Sequence, residues 1–155
     1  MTEITTPVVI AIDTNVLVYA EGEGDAARCT AARRLLARVQ PTAVVLPVQV
    51  LGELHRVLTG CFGRDARVVS EAVIGWAEAF RVAESSFAAL QSALDLHADH
   101  QLQIWDALIL AVAAEHGCRL LVSEDYQSGF TWRGITVVDP FAQRQHPLLR
   151  QALRG

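Results

Sequence analysis

The sequence predicts a single-domain α/β protein across residues 1–155, built as three α/β/α layers around a central, mostly parallel sheet. Three observations carry this expectation. The first is a set of short, continuous apolar runs, Val8–Ile12, Thr42–Leu46, Arg119–Val122 and Ile135–Val138. Such runs mark strands buried on both faces. The second is that longer stretches with helical spacing alternate with these runs, which is the pattern of parallel strands joined by crossover helices. The third is length: one domain's worth of chain, with 52% hydrophobic and 19% charged residues, is enough to bury a proper core.

Each element has a local reason. Thr14–Ala20 reads as a short helix, stopped by Gly22 and Gly24. Asp25 can cap a second helix through Val39, with Ala27, Ala31, Leu35 and Val39 at helical spacing. Pro47 suits the first turn of a third helix that runs to about Thr59. Gly60–Arg64 breaks the chain, and Asp65 can cap a fourth helix to about Ala79. A brief strand is expected at Phe80–Ala83. Two helices follow, Ser86–His100 and Ile104–His116, the second closed by Gly117.

Composition removes several classes of function. No apolar window reaches the roughly 18 residues of a membrane span. The N-terminal stretch carries Glu3 and no positive region, so no secretory leader is expected. Cys29, Cys61 and Cys118 are odd in number, far apart and without a CxxC, which suggests reduced thiols in a cytoplasmic protein. The net charge of −4 argues against a broad basic surface for nucleic acid. All 13 basic residues are Arg, which binds phosphate in an oriented, bidentate way, so a local phosphate track stays open. Candidates for it are Arg28, Arg33, Arg34 and Arg38 on one helix, and a wall of Tyr126, Phe130, Trp132 and Arg133. The stretch Val16–Tyr19 is apolar on every side, which points to surface left over for a partner.

Four acids stand out, each with an ordinary alternative. Asp13 ends the first apolar run and can simply cap the next helix. Glu53, in an otherwise apolar stretch, can pair with Arg56 for only ~0.2–0.5 kcal/mol. Asp106 lies in the first turn of the most hydrophobic helix, where the dipole favours an acid by ~0.3–1 kcal/mol. Asp125 follows a buried strand and can bond its own backbone in a turn. Taken together they point elsewhere. All four can reach the carboxyl edge of a parallel sheet, where ligands gather. Converging carboxylates repel unless a cation or protons intervene, and hard oxygen donors suit Mg²⁺ or Mn²⁺. His97 and His100 sit at i,i+3, but no Cys pair or HExxH accompanies them for zinc. No P-loop, GxGxxG or GxSxG is present. The absence of lysine speaks against a receiver-like phosphoacceptor, and Asn15 stands where a haloacid-dehalogenase-type phosphatase would place a second Asp.

The ordered motifs IDTNVLVY (12–19), LGEL (51–54), WDALI (105–109), LLVSEDYQSG (120–129) and VVDPF (137–141) resemble those of PIN-domain nucleases, in particular VapC-type toxin ribonucleases of type II toxin–antitoxin pairs. The resemblance spans nearly the whole chain. It implies a Mg²⁺- or Mn²⁺-dependent endoribonuclease leaving a 5′-phosphate and a 3′-hydroxyl. It implies Asp13, Glu53, Asp106 and Asp125 as the catalytic quartet, with Asp13 and Asp106 the principal metal ligands and Glu53 and Asp125 binding directly or through water. Thr14, Asn15 and Ser123 would support them. Glu124 competes with Asp125 for the fourth position, and the family pattern favours Asp125. The implied partners are an RNA substrate, a small antitoxin protein and a second copy in a homodimer. Two rivals are a catalytically silent PIN-like binding module and a PIN-type nuclease of RNA processing or DNA.

Overall fold

The computed structural model describes residues 6–153; Glu3 lies outside them. Six strands form one sheet: β1 (Ile10–Ile12), β2 (Val44–Pro47), β3 (Arg81–Ala83), β4 (Leu120–Val122), β5 (Thr131–Trp132) and β6 (Ile135–Val138). Their order is β3-β2-β1-β4-β6-β5. Every pairing is parallel except β5 with β6. Among the described residues seven helices accompany them: α1 (Thr14–Ala20), α2 (Ala26–Arg38), α3 (Val48–Gly60), α4 (Ala66–Ala79), α5 (Phe87–His100), α6 (Ile104–Glu115) and α7 (Pro147–Ala152).

The strand order explains the layers. From β1 the chain steps to β2 and then β3, moving one way across the sheet through α1–α2 and α3–α4. It then returns past β1 to β4 through α5–α6. Right-handed crossovers in opposite directions put their helices on opposite faces, which gives α/β/α. The direction reverses between β1 and β4, and that reversal opens a crevice at their carboxyl ends.

Side-chain caps start most helices. Asp25 accepts from the Arg28 amide at 3.0 Å, Asp65 from Arg67 and Val68, and Ser86 from Ala89 at 2.9 Å. Helix α6 buries an unbroken stretch, Ala107–Ala113, and packs on α5 and against β2 and β6. Gly117 takes φ +75° just beyond it, a left-handed turn that a side chain would strain. Among the described residues, no helix is long and apolar enough to cross a membrane. The three cysteines are free thiols, Cys29 and Cys118 buried and Cys61 exposed.

Several expectations are corrected. Pro47 is the last residue of β2 and the cap of α3, so the helix begins at Val48. Helix α2 buries Cys29, Ala32 and Leu35, leaving Ala27 exposed; two small-residue stripes were available and alanine spacing does not choose between them. The edge strand β5, the terminal α7 and a 3₁₀ turn at Pro41–Ala43 are additions. Most consequential, Val16, Leu17 and Val18 are all buried, because α2 and α3 flank α1 on the core. Of that stretch only Tyr19 stays partly exposed, and it lines a groove.

Candidate functional site

The site begins with β1. Its last ladder amide belongs to Asp13, whose N–H donates to the Val122 carbonyl at 3.0 Å. The chain then turns directly into α1, and Asp13 caps it: one carboxylate oxygen accepts from the Thr14 amide at 2.8 Å. The other accepts from Ser123 Oγ at 2.6 Å. Capping therefore uses one oxygen and leaves the other to bond across to the end of β4. Asp13 is only 2% exposed. Burial pushes its carboxyl up to about 7, against the lowering by the Ser123 and Thr14 bonds, and the charges of Asp106 and Asp125 raise it further.

Ser123, fully buried after β4, is the hub. Its hydroxyl donates to Asp13 and accepts from Asn15 Nδ2 at 3.2 Å and from the Asp125 amide at 3.1 Å. One donor and two lone pairs are all that a hydroxyl has. It thereby joins the ends of β1 and β4 across the crevice.

Glu53 comes from α3 and is held by Thr14, whose hydroxyl donates to Oε2 at 2.9 Å. No ion pair with Arg56 forms. Asp106 stands in the first turn of α6, whose amides at Trp105 and Asp106 are capped by the Gln103 side chain. Its own carbonyl accepts from the Tyr126 hydroxyl at 2.6 Å. The Asp106 carboxyl is raised to about 6 by partial burial first, and then by the charges of Asp125 and Glu53. Glu53, Asp106 and Asp125 line one groove of about 1020 Å³ with Thr14 and Asn15, while Asp13 lies beneath it.

The groove lining thus holds Glu53, Asp106 and Asp125 with Thr14 and Asn15, and Ser123, itself outside the lining, links the buried Asp13 to Asn15. As placed, no three His, Cys, Asp or Glu among the described residues converge tightly enough to enclose a metal ion. The donor set nevertheless fits a hard divalent cation. Its oxygens are carboxylates whose charges help raise the proton affinity of Asp13 and Asp106, and each carboxylate keeps unused lone pairs. The buried Asn15 Oδ1 beside them has no protein partner, leaving a further hard acceptor.

Glu124 points elsewhere. It accepts from the Tyr19 hydroxyl and, at 2.9 Å, from Arg28 Nε. It is absent from the groove lining, whereas Asp125 is part of it. The two basic or aromatic surfaces proposed from sequence do not line the groove either. Arg28 is paired with Glu124, and Arg33 donates to the Ala20 carbonyl at 2.9 Å. Tyr126 is buried, Phe130 packs edge-on to His100, and Arg133 lies over Trp132 while donating to Ser92. His97 Nδ1 sits 2.6 Å from the Leu102 carbonyl. Sequence reading missed Arg64, which joins Glu21 and Glu23 and so ties the end of α1 to the α3–α4 turn. No local pattern announces a pair 41 or more residues apart.

Comparison with known proteins agrees with this architecture. Mycobacterium tuberculosis VapC20, described as a Sarcin-Ricin loop cleaving toxin, superposes with a TM-score of 0.63 and 27% identity over 75% of this chain and 91% of its own. A toxin–antitoxin complex from Klebsiella pneumoniae gives 0.64 at 20% identity, over 85% of this chain and 98% of that one. DNA-bound VapBC from Salmonella typhimurium gives 0.62 at 15% identity, over 86% and 98%; at such identities the likeness is one of fold. No curated protein matches the sequence significantly. The PIN domain family model matches residues 10–130, a span holding all four acids and their supports, and the chain belongs to the PIN-domain family.

Proposed function

We propose that this chain is a Mg²⁺- or Mn²⁺-dependent endoribonuclease acting in the cytoplasm as the toxin of a type II toxin–antitoxin pair. The observation that carries the reading is the convergence of Glu53, Asp106 and Asp125 on one groove beside the buried Asp13, where burial first and then neighbouring carboxylate charge raise the Asp13 and Asp106 carboxyls. A purely structural module gains nothing from such repulsion. Asp13 and Asp106 would hold the ion, with Glu53 and Asp125 binding it directly or through water. Bound there, a hard divalent ion supplies an acidified water and stabilises charge on the phosphate. The protein's own contribution is positioning. Ser123 orients Asp13, Thr14 orients Glu53, and Tyr126 with Gln103 holds the start of α6 that presents Asp106.

The relation to VapC20 and to toxin–antitoxin complexes supports an antitoxin partner and RNA as substrate. A homodimer belongs to the same reading, with contact surface sought at the exposed Val68 and Ile74 of α4 in place of the buried α1.

The test is cleavage of RNA and DNA panels by purified protein. Added Mg²⁺ or Mn²⁺ should support RNA cleavage and EDTA should abolish it. Asp106→Asn should remove nearly all turnover with the circular-dichroism spectrum unchanged. Cleavage that persists in EDTA or in that variant would overturn the assignment. In cells, expression should slow growth, Asp13→Ala should not, and co-expression of a cognate antitoxin should relieve the effect.

A further inference from the structure

Two side chains in the groove have no part in holding the fold. Arg56 lies on α3 almost one turn beyond Glu53 and is exposed. Among the described residues it is the one basic residue lining the groove, and its guanidinium enters no ion pair with them, whereas Arg28 and Arg64 do. Trp105, directly before Asp106, lines the same groove with 54% of its surface exposed. Its indole joins none of the aromatic pairs.

A third feature lies between them. Gly52 is in the interior of α3, on the groove wall and one turn before Arg56. Glycine is the least favourable helix residue after proline. Here no neighbour requires it: a Cβ at this position would meet nothing within 4 Å. A helical glycine that the fold does not need leaves room for the close approach of something else.

We propose that Arg56 takes a backbone phosphate of the substrate and Trp105 stacks on an unpaired base beside the reacting phosphodiester, with Gly52 keeping the wall low enough for the strand to lie against α3. This rests on the nuclease reading above and names residues of that same site. The chemistry is specific. A groove lined by carboxylates repels a polyanion, so a cation on its wall is needed to admit one. Guanidinium fits phosphate with two parallel bonds. An exposed indole stacks on any base with a free face, which a duplex does not offer.

The experiment measures binding of a fluorescent random RNA pool of about 12 nucleotides, single-stranded or annealed to its complement, to the whole chain. Mg²⁺ is present, and Asp106→Asn serves as background so that the pool is not cut. Wild-type cleavage of the same pool is assayed alongside. Arg56→Gln should weaken single-strand binding and reduce the slope of log Kd against log salt by about 0.7, the signature of one lost phosphate contact. Trp105→Ala should weaken it by roughly tenfold with the slope unchanged, and Trp105→Phe should restore most of that. Gly52→Leu should fold and melt no lower than its parent yet bind the strand worse. If the wild type cleaves but these variants keep parental Kd and slope, the pair is overturned and the nuclease reading stands. If the wild type cleaves nothing, both fall together. Variants that keep RNA binding but lose the antitoxin would reassign this surface to a protein contact.

Discussion

Asp13 performs two tasks with one side chain, and its chemistry follows from doing both. Capping α1 and accepting from Ser123 hold it almost out of solvent, which raises its carboxyl to about 7, while Asp106 rises to about 6. Both exceed the ordinary value of 3.8, so across the pH range from about 4 to 7 the folded chain holds protons that the unfolded chain has released. Stability from these groups is therefore present at the acid end of that window and lost as pH rises through it. In EDTA, the melting temperature should fall between about pH 4 and pH 7, and Asp106→Asn should flatten that decline. A wild type and variant with parallel profiles would disprove the coupling. Metal and protons compete for the same oxygens, so affinity for Mg²⁺ should strengthen over the same interval.

Glu124 and Asp125 are neighbours with opposite tasks, and the contrast separates holding from acting. Glu124 accepts from Tyr19 and Arg28, and Phe141 packs against both, its ring 5.3 Å from Tyr19 edge-on and 5.6 Å from the Arg28 guanidinium. Burial and then the Glu124 carboxylate push the Tyr19 hydroxyl up to about 12. Asp125 faces the groove and uses only its backbone amide in the fold. Glu124→Ala should cost about 1–2 kcal/mol by urea melting, since a half-buried hydroxyl loses a charged partner. Asp125→Ala should cost nothing measurable without metal, yet abolish cleavage. Loss of activity in the first with full activity in the second would exchange their roles.

At the scale of elements, the ends of helices decide where the acids stand. Helix α5 ends on Gln101 at φ 59°, a left-handed position that a side chain occupies at a cost. The chain then reverses within two residues so that Gln103 can cap α6 and fix Asp106. Gln101→Gly should stabilise the protein by about 0.5–1 kcal/mol in thermal melts, with cleavage unchanged. A destabilised variant would mean that the Gln101 side chain contributes more than its backbone strain removes. The clasp of Arg64 on Glu21 and Glu23 works on the opposite wall, tying the turn after α1 to the turn after α3.

For the whole molecule, the groove depends on α6 lying deep between sheet and helices. Ile109, Leu110 and their neighbours are fully buried, so α6 has one place to sit and carries Asp106 with it. Ile109→Ala should cost about 2–5 kcal/mol through lost contacts and the cavity left behind. That is a large part of the ~5–15 kcal/mol that holds a domain together. Denaturant melting measures it, and a cost below about 1 kcal/mol would mean that the site can collapse around the gap. The reversal of strand order between β1 and β4 is equally global: no single crossover creates the crevice, and only their opposed directions do.

The sequence by itself determined the α/β alternation, the four buried runs and the motifs around Asp13, Glu53, Asp106 and Asp125, because strand burial and helix periodicity are written in neighbouring residues. It also presented Thr14, Asn15 and Ser123 as supports. What it left open was every choice that depends on partners far along the chain. What Asp13 bonds besides capping α1, whether Glu53 pairs with Arg56, and whether Glu124 or Asp125 faces the groove were decided by contacts between elements. The apolar α1 looked like an interface because a local pattern cannot count how many neighbours will cover it, and α2 and α3 cover it completely enough to bury Val16–Val18. Arginines were legible as phosphate binders in kind but not in place: tertiary packing engaged Arg28 and Arg33 within the fold and left Arg56 at the groove.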